Sequence, residues 1–218
     1  MRTALPIACI LTALLAEGYA RQCLTCAGLS PAMCIGTVQT CATRDDVCMA
    51  SYTTRIISNL PVREFTRMCG QAIFCKIDQT MTAPSMTIRK STTCCTSDTC
   101  TPPEPKEPVA PDTKENGVTC HACSAQDYYC DTKEKMKCTG SETRCSRYAL
   151  KTEQGSKVSQ IALRGCASEN FCAVGSSSKG IGGTSITIDM ACTDAGIRPE
   201  YGLLLPLFAA LAMLKLFY

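Results

Sequence analysis

Residues 41–75 read CATRDDVCMASYTTRIISNLPVREFTRMCGQAIFC, and residues 138–172 read CTGSETRCSRYALKTEQGSKVSQIALRGCASENFC. In both, the cysteines fall at intervals of six, twenty and five residues. Outward from the first stretch the run is Cys23-x2-Cys26-x7-Cys34-x6-Cys41-x6-Cys48-x20-Cys69-x5-Cys75-x18-Cys94, closed by Cys95-x4-Cys100. Outward from the second it is Cys120-x2-Cys123-x6-Cys130-x7-Cys138-x6-Cys145-x20-Cys166-x5-Cys172-x19-Cys192. Intervals repeating in this order mark one cysteine-framed module used twice.

The ends of the chain indicate the compartment. Residues 1–20 carry Arg2, a short apolar run over Ala4–Ala16, and small residues at Gly18 and Ala20. That is the layout of a secretory leader, with Arg21 as the expected mature start. The run is shorter than the about 20 apolar residues a membrane span needs. Of the 19 cysteines, Cys9 lies in this leader, and the even remainder suits full pairing in an oxidising compartment. At the other end, residues 194–218 begin with the small triplet Asp194-Ala195-Gly196 and a polar spacer. An apolar tail, Leu203–Tyr218, then runs to the last residue. This order matches a glycolipid (GPI) attachment signal with Asp194 as attachment residue and the tail removed. The alternatives are a short membrane helix, or a tail that leaves the protein secreted.

Between the two runs, Thr101–Gly117 holds Pro102, Pro103, Pro105, Pro108 and Pro111 interspersed with Glu and Lys. Such composition favours extended polyproline geometry and a semi-rigid spacer. The expected organisation is a leader over 1–20, a ten-cysteine domain over 21–101, a linker over 102–117, an eight-cysteine domain over 118–193, and the anchor signal over 194–218. Domains of this size bury only about 60% of their unfolded surface, so a hydrophobic core alone is marginal. The chain has no Trp and five Phe. A bridge closing a loop of about 15 residues contributes about 3 kcal/mol, so covalent staples are expected to hold the fold.

The segments between staples read as strands. Thr184, Ile186, Ile188 and Met190 alternate with Ser185, Thr187 and Asp189, the period of a half-buried strand. Cys145–Cys166 reads as a hairpin turning near Glu153-Gln154-Gly155-Ser156, and Cys48–Cys69 as one turning near Ser58-Asn59-Leu60-Pro61. No sustained helical period occurs.

The leading Cys-x-x-Cys, the twenty-residue hairpin and the closing Cys94-Cys95-x4-Cys100 resemble the urokinase-receptor and lymphocyte-antigen family of three-finger domains. So do Asn116-Gly117-Val118-Thr119-Cys120, the run from Cys138 to Cys145, and Arg164-Gly165-Cys166. The resemblance implies an all-β fold of two tandem disulfide-rich three-finger domains. Its pairing scheme would join Cys23 to Cys48, Cys26 to Cys34, Cys41 to Cys69, Cys75 to Cys94 and Cys95 to Cys100. In the second module it would join Cys120 to Cys145, Cys123 to Cys130, Cys138 to Cys166 and Cys172 to Cys192. Spacing alone leaves connectivity open, since eight cysteines allow 105 arrangements. Thr101 stands where the family usually has Asn after its last cysteine, and the second module lacks a closing pair. Ten cysteines followed by eight is similar to the two-module gamma-type inhibitors of phospholipase A2. The apolar tail points instead to membrane-held relatives.

Other chemistry is weakly supported. Cys23-x2-Cys26 and Cys120-x2-Cys123, with His121 adjacent, have zinc-knuckle spacing, but each cysteine has a bridge partner, so neither metal nor cofactor is expected. His121 is the only histidine, and neither a Gly-x-Ser-x-Gly elbow nor a phosphate-cradling glycine loop occurs, so no enzyme is expected. The glycine-rich stretch Gly175–Gly183 reads as a mobile hairpin tip. The net charge of +3 without basic runs argues against nucleic acid.

Binding is expected at hairpin tips, where loops vary over a fixed base. Candidate anchors are Leu29, Pro31 and Met33 on the first finger, Leu60 and Val62 on the second, and Met81, Pro84 and Met86 on the third. In the second module they are Tyr128 and Tyr129. Leu60, Val62, Met81, Met86, Tyr128 and Tyr129 are the ligand-binding set. The expected function is a cell-surface module of receptor or adhesion type that binds an extracellular protein, held to the outer leaflet by its glycolipid. The alternative is an inhibitor of secreted phospholipase A2, and a more distant one a modulator of ion-channel receptors.

Overall fold

The computed structural model describes residues 20–110, 112–181 and 184–194. The expected leader up to residue 19 and the expected anchor signal beyond Asp194 lie outside them. Among the described residues no helix is long and apolar enough to cross a membrane. The chain forms two compact units. One takes residues up to Gln79 together with Thr87–Val109, and the other takes Thr80–Met86 together with residues from Ala110. The architecture is all-β, with three-finger geometry in each module.

The first unit contains β1 (Gln22–Gly28), β2 (Thr37–Thr40), β3 (Asp46–Ile57), β4 (Leu60–Gln71) and, from Thr87, β6 (Met86–Cys95). Their order in the sheet is β6-β3-β4-β1-β2. β3 and β4 make a long hairpin in register from Asp46↔Gln71 to Ile57↔Leu60. Its two-residue turn is Ser58-Asn59, with φ of +48° and +68°. Positive φ at both central positions is the twist-matched hairpin turn that accommodates Asn well. Pro61 is tolerated inside β4 because β1 reaches only as far as Phe65, which leaves the tip of β4 an edge.

The second unit contains β5 (Gln79–Ala83) from Thr80, then β7 (Glu115–His121), β8 (Cys123–Ala125), β9 (Lys135–Thr139), β10 (Arg144–Gln154) and β11 (Lys157–Ala167). A four-residue helix, α1 (Glu169–Cys172), then precedes β12 (Ser177–Ile181) and β13 (Thr184–Asp194). The main order is β12-β13-β10-β11, β8 and β5 lie against β11, and β7 pairs with β9. The β10–β11 hairpin turns at Gly155-Ser156 with φ of +58° at Gly155, a conformation that glycine adopts without strain. The tip of the glycine-rich hairpin, Gly182-Gly183, lies outside the described residues. α1 was not foreseen. Its N-cap Ser168 accepts from the Phe171 amide at 3.2 Å, and buried Phe171 packs against Tyr148 with ring centroids 6.1 Å apart.

Nine disulfides close the described chain. They join Cys23–Cys48, Cys26–Cys34, Cys41–Cys69, Cys75–Cys94 and Cys95–Cys100, then Cys120–Cys145, Cys123–Cys130, Cys138–Cys166 and Cys172–Cys192. The corresponding bridges Cys41–Cys69 and Cys138–Cys166 each span 28 residues with Cα atoms 5.5 Å apart. Sulfur forms the base of both units. Cys23, Cys41 and Cys48 pack with Cys69, Cys95 and Cys100 in one, and Cys120, Cys138 and Cys166 with Cys145, Val118 and Met136 in the other. A separate cluster in the first unit centres on Phe65, which packs with Cys26, Cys34, Ala50, Leu24 and Tyr52.

The proline-rich segment is more than a spacer. Pro102 and Pro105 are buried, Ser91 donates its hydroxyl to the Lys106 carbonyl, and Thr93 donates to the Pro103 carbonyl. Both contacts run from side-chain hydroxyls of β6 to carbonyls of the segment, whose prolines have no amide of their own to donate.

Candidate functional site

The tip of the β3–β4 hairpin carries an exposed apolar face. Residues directly opposite in an antiparallel ladder share a face, and faces alternate along each strand. Ile57 faces Leu60, and Arg55 faces Val62, so these four side chains lie together. Leu60 is 70% exposed, and Ile57 and Val62 are also exposed. Glu64 follows Val62 on that face and forms an ion pair with Arg55, which bounds the apolar tip with charge.

The opposite face of this hairpin is stapled down. Arg63 donates to Glu107 at 2.8 Å, and that hydrogen bond, aided by the carboxylate charge, holds the guanidinium above its ordinary pKa. Tyr52 and Phe65 on this face belong to the core cluster. One side is therefore fixed while the other offers apolar area at little ordering cost, which favours binding.

The structure separates the other anchor candidates. Met81 differs from expectation, being fully buried at 0% exposure. β5 lies in the ladder with β11, where Met81 stands opposite Ala167, and the Thr80 amide donates to Ser168 Oγ at 3.0 Å. Gly165 permits this approach, because a Cβ there would fall 2.0 Å from the Thr82 carbonyl oxygen. Met86 is half-buried and Pro84 exposed. Tyr128 is half-buried, while Tyr129 is exposed with the Arg147 guanidinium 5.8 Å from its ring centroid. Leu29 and Met33 are exposed on the first finger. Ile57 belongs to the apolar tip and was missed. Its signal was its place directly before the Ser58-Asn59 turn, opposite Leu60.

The sulfur clusters offer no metal centre of ordinary type. Cys23, Cys41 and Cys69 lie within reach of a single ion, as do Cys120, Cys138 and Cys166, but all six are engaged in bridges. A metal-binding cysteine acts as a free thiolate. His121 stands on β7, opposite Lys135 of β9.

The chain is similar over most of its length to known proteins. The family model described as u-PAR/Ly-6 domain matches residues 19–103 and 116–196. The phospholipase A2 inhibitor NAI of Notechis ater is 28% identical over 75% of this chain and 82% of its own length. The 25 kDa phospholipase A2 inhibitor subunit of Naja kaouthia is 27% identical over 80% of this chain and 94% of its own length. Among solved structures, mouse TEX101 is 14% identical, with 81% of this chain and 99% of that chain covered at a TM-score of 0.33.

Proposed function

The chain belongs to the u-PAR/Ly-6 domain family, and from that premise we propose a non-enzymatic extracellular binding module that grips a protein partner with the Ile57–Leu60–Val62 tip. The observation that carries this reading is exposed apolar area on one face of a hairpin whose other face is fixed by the core and by Arg63–Glu107. Anchors of this kind dominate interface energies. The reading keeps the boundaries drawn from the sequence, with two binding domains over 21–101 and 118–193. It also keeps a glycolipid at Asp194 that holds the protein to the outer leaflet. Treatment of expressing cells with a phosphatidylinositol-specific lipase should release the protein. Retention on the surface would remove the tether from the proposal.

A second reading is favoured by the names of two relatives, both phospholipase A2 inhibitors. Here the captured partner is a secreted phospholipase A2. The purified protein should then slow hydrolysis by a panel of such enzymes, and Leu60→Asp should weaken that effect at least about tenfold, the scale of one central anchor. Unimpaired hydrolysis across the panel at micromolar protein would eliminate this partner. If other extracellular proteins still bind and Leu60→Asp weakens them, the tip remains the binding surface.

A further inference from the structure

The two modules can be compared position by position through their cysteines, and the strand registers agree. Leu24↔Val38 in the first unit corresponds to His121↔Lys135 in the second. Ala50↔Arg67 corresponds to Arg147↔Arg164, and Tyr52↔Phe65 to Ala149↔Ala162. In the first unit Leu24, Ala50, Tyr52 and Phe65 belong to one apolar cluster. In the second, two alanines replace the aromatic pair, and cationic or titratable side chains replace Leu24, Val38 and Ala50. The same scaffold face has changed from apolar filling to positive charge.

That face opens onto a cavity of about 410 Å³ whose lining includes Thr119, His121, Lys135, Arg147, Arg164 and Thr193. None of the lining residues is acidic. In the first unit the loop of the fifth bridge covers the matching place. The Gln22 amide donates to Asp98 at 2.7 Å, and the Thr99 amide donates to the Gln22 carbonyl at 2.9 Å. Thr119 occupies the place of Gln22, Thr193 that of Cys95, and the second cysteine run has no fifth pair.

Arg147 and Arg164 stand directly opposite each other, a like-charge pairing that destabilises a ladder unless countered. Asp131 accepts from Arg164 at 2.7 Å, while the Arg147 guanidinium leans on the Tyr129 ring. Among the described residues no ion pair neutralises Arg147 or Lys135. The Arg147 guanidinium, the Lys135 ammonium and the donors of Arg164 that Asp131 leaves over surround a cavity whose lining holds no carboxylate, and together they suit the oxygens of a tetrahedral anion.

We propose that the second unit holds an anion site, built by His121, Lys135, Arg147 and Arg164, that takes a phosphate or sulfate monoester. The cavity exceeds the anion alone and leaves room for the esterified group. The site is separate from the β3–β4 tip and does not depend on the partner bound there.

Amide NMR of the whole protein, titrated with inorganic phosphate or inorganic sulfate at constant ionic strength, tests the free ion. Co-flotation with phosphatidylcholine vesicles, with and without a phosphatidylinositol phosphate, tests a lipid headgroup. Saturable shifts at Thr119, Arg147 and Arg164, or phosphate-dependent flotation, are expected. Arg147→Ala installs the residue that the first unit carries and should weaken binding about tenfold or more, with partial recovery in Arg147→Lys. Lys135→Val is read the same way should Arg147→Ala misfold. Saturable binding in neither arm, or binding unchanged in the folded variants, overturns the site.

Discussion

The guanidinium of Arg67 lies over the ring of Phe65, with Cζ 5.2 Å from the ring centroid. Phe65 has no solvent exposure and packs with Ala50 and the sulfur of Cys26 and Cys34. Phe65→Ala should cost about 3–5 kcal/mol, because the surrounding bridges prevent the cavity from collapsing. Urea unfolding with bridges intact measures it. A loss below about 1 kcal/mol would mean that sulfur, not this ring, fills the first unit.

Bridges differ in value by the loop they close. Cys138–Cys166 spans 28 residues and Cys95–Cys100 only five. In the chain-entropy treatment these contribute about 3.5 and about 2 kcal/mol. Replacing both cysteines of each pair by alanine should reproduce that order in thermal unfolding. The reverse order would place the stabilisation in native packing around the short loop.

Asn59 holds φ of +68° at the hairpin turn. A β-branched residue there is a steric outlier, so Asn59→Val should destabilise by about 1–2 kcal/mol, whereas Asn59→Gly should be close to neutral. Differential scanning calorimetry of the two variants distinguishes backbone strain from loss of the amide side chain. Equal losses would favour the side chain.

Ser91 donates to the Lys106 carbonyl and holds the proline-rich segment to β6. Removing one hydrogen bond costs about 1 kcal/mol, so Ser91→Ala should increase trypsin cleavage after Lys106 about fivefold under conditions where opening is fast. Unchanged cleavage would mean that buried Pro102 and Pro105 hold the segment without help.

Cysteine intervals made much of the architecture readable, because a bridge at each end of Cys48–Cys69 constrains the hairpin more than propensity does. The turn at Ser58-Asn59 was legible from the same stretch. Burial of Met81 was not, since it depends on pairing with Ala167, far away in sequence. α1 is too short to leave a period, and only Ser168 hinted at it. The cationic cavity was encoded in the comparison of Leu24 with His121, Val38 with Lys135 and Ala50 with Arg147. Each substitution is unremarkable until the second run is laid over the first. The Ile57–Leu60–Val62 tip was two-thirds legible, because Leu60 and Val62 follow the turn and Ile57 precedes it.

The proline-rich segment along β6 has a consequence for crowding. An uncovered flank of a sheet invites a neighbouring molecule to add its own strand, and repeated addition grows fibres. The segment that Ser91 and Thr93 hold against β6 is itself extended chain, yet its Pro102, Pro103, Pro105 and Pro108 cannot donate, so it is a poor template for an incoming strand. Many copies can therefore be packed side by side without propagating through this segment.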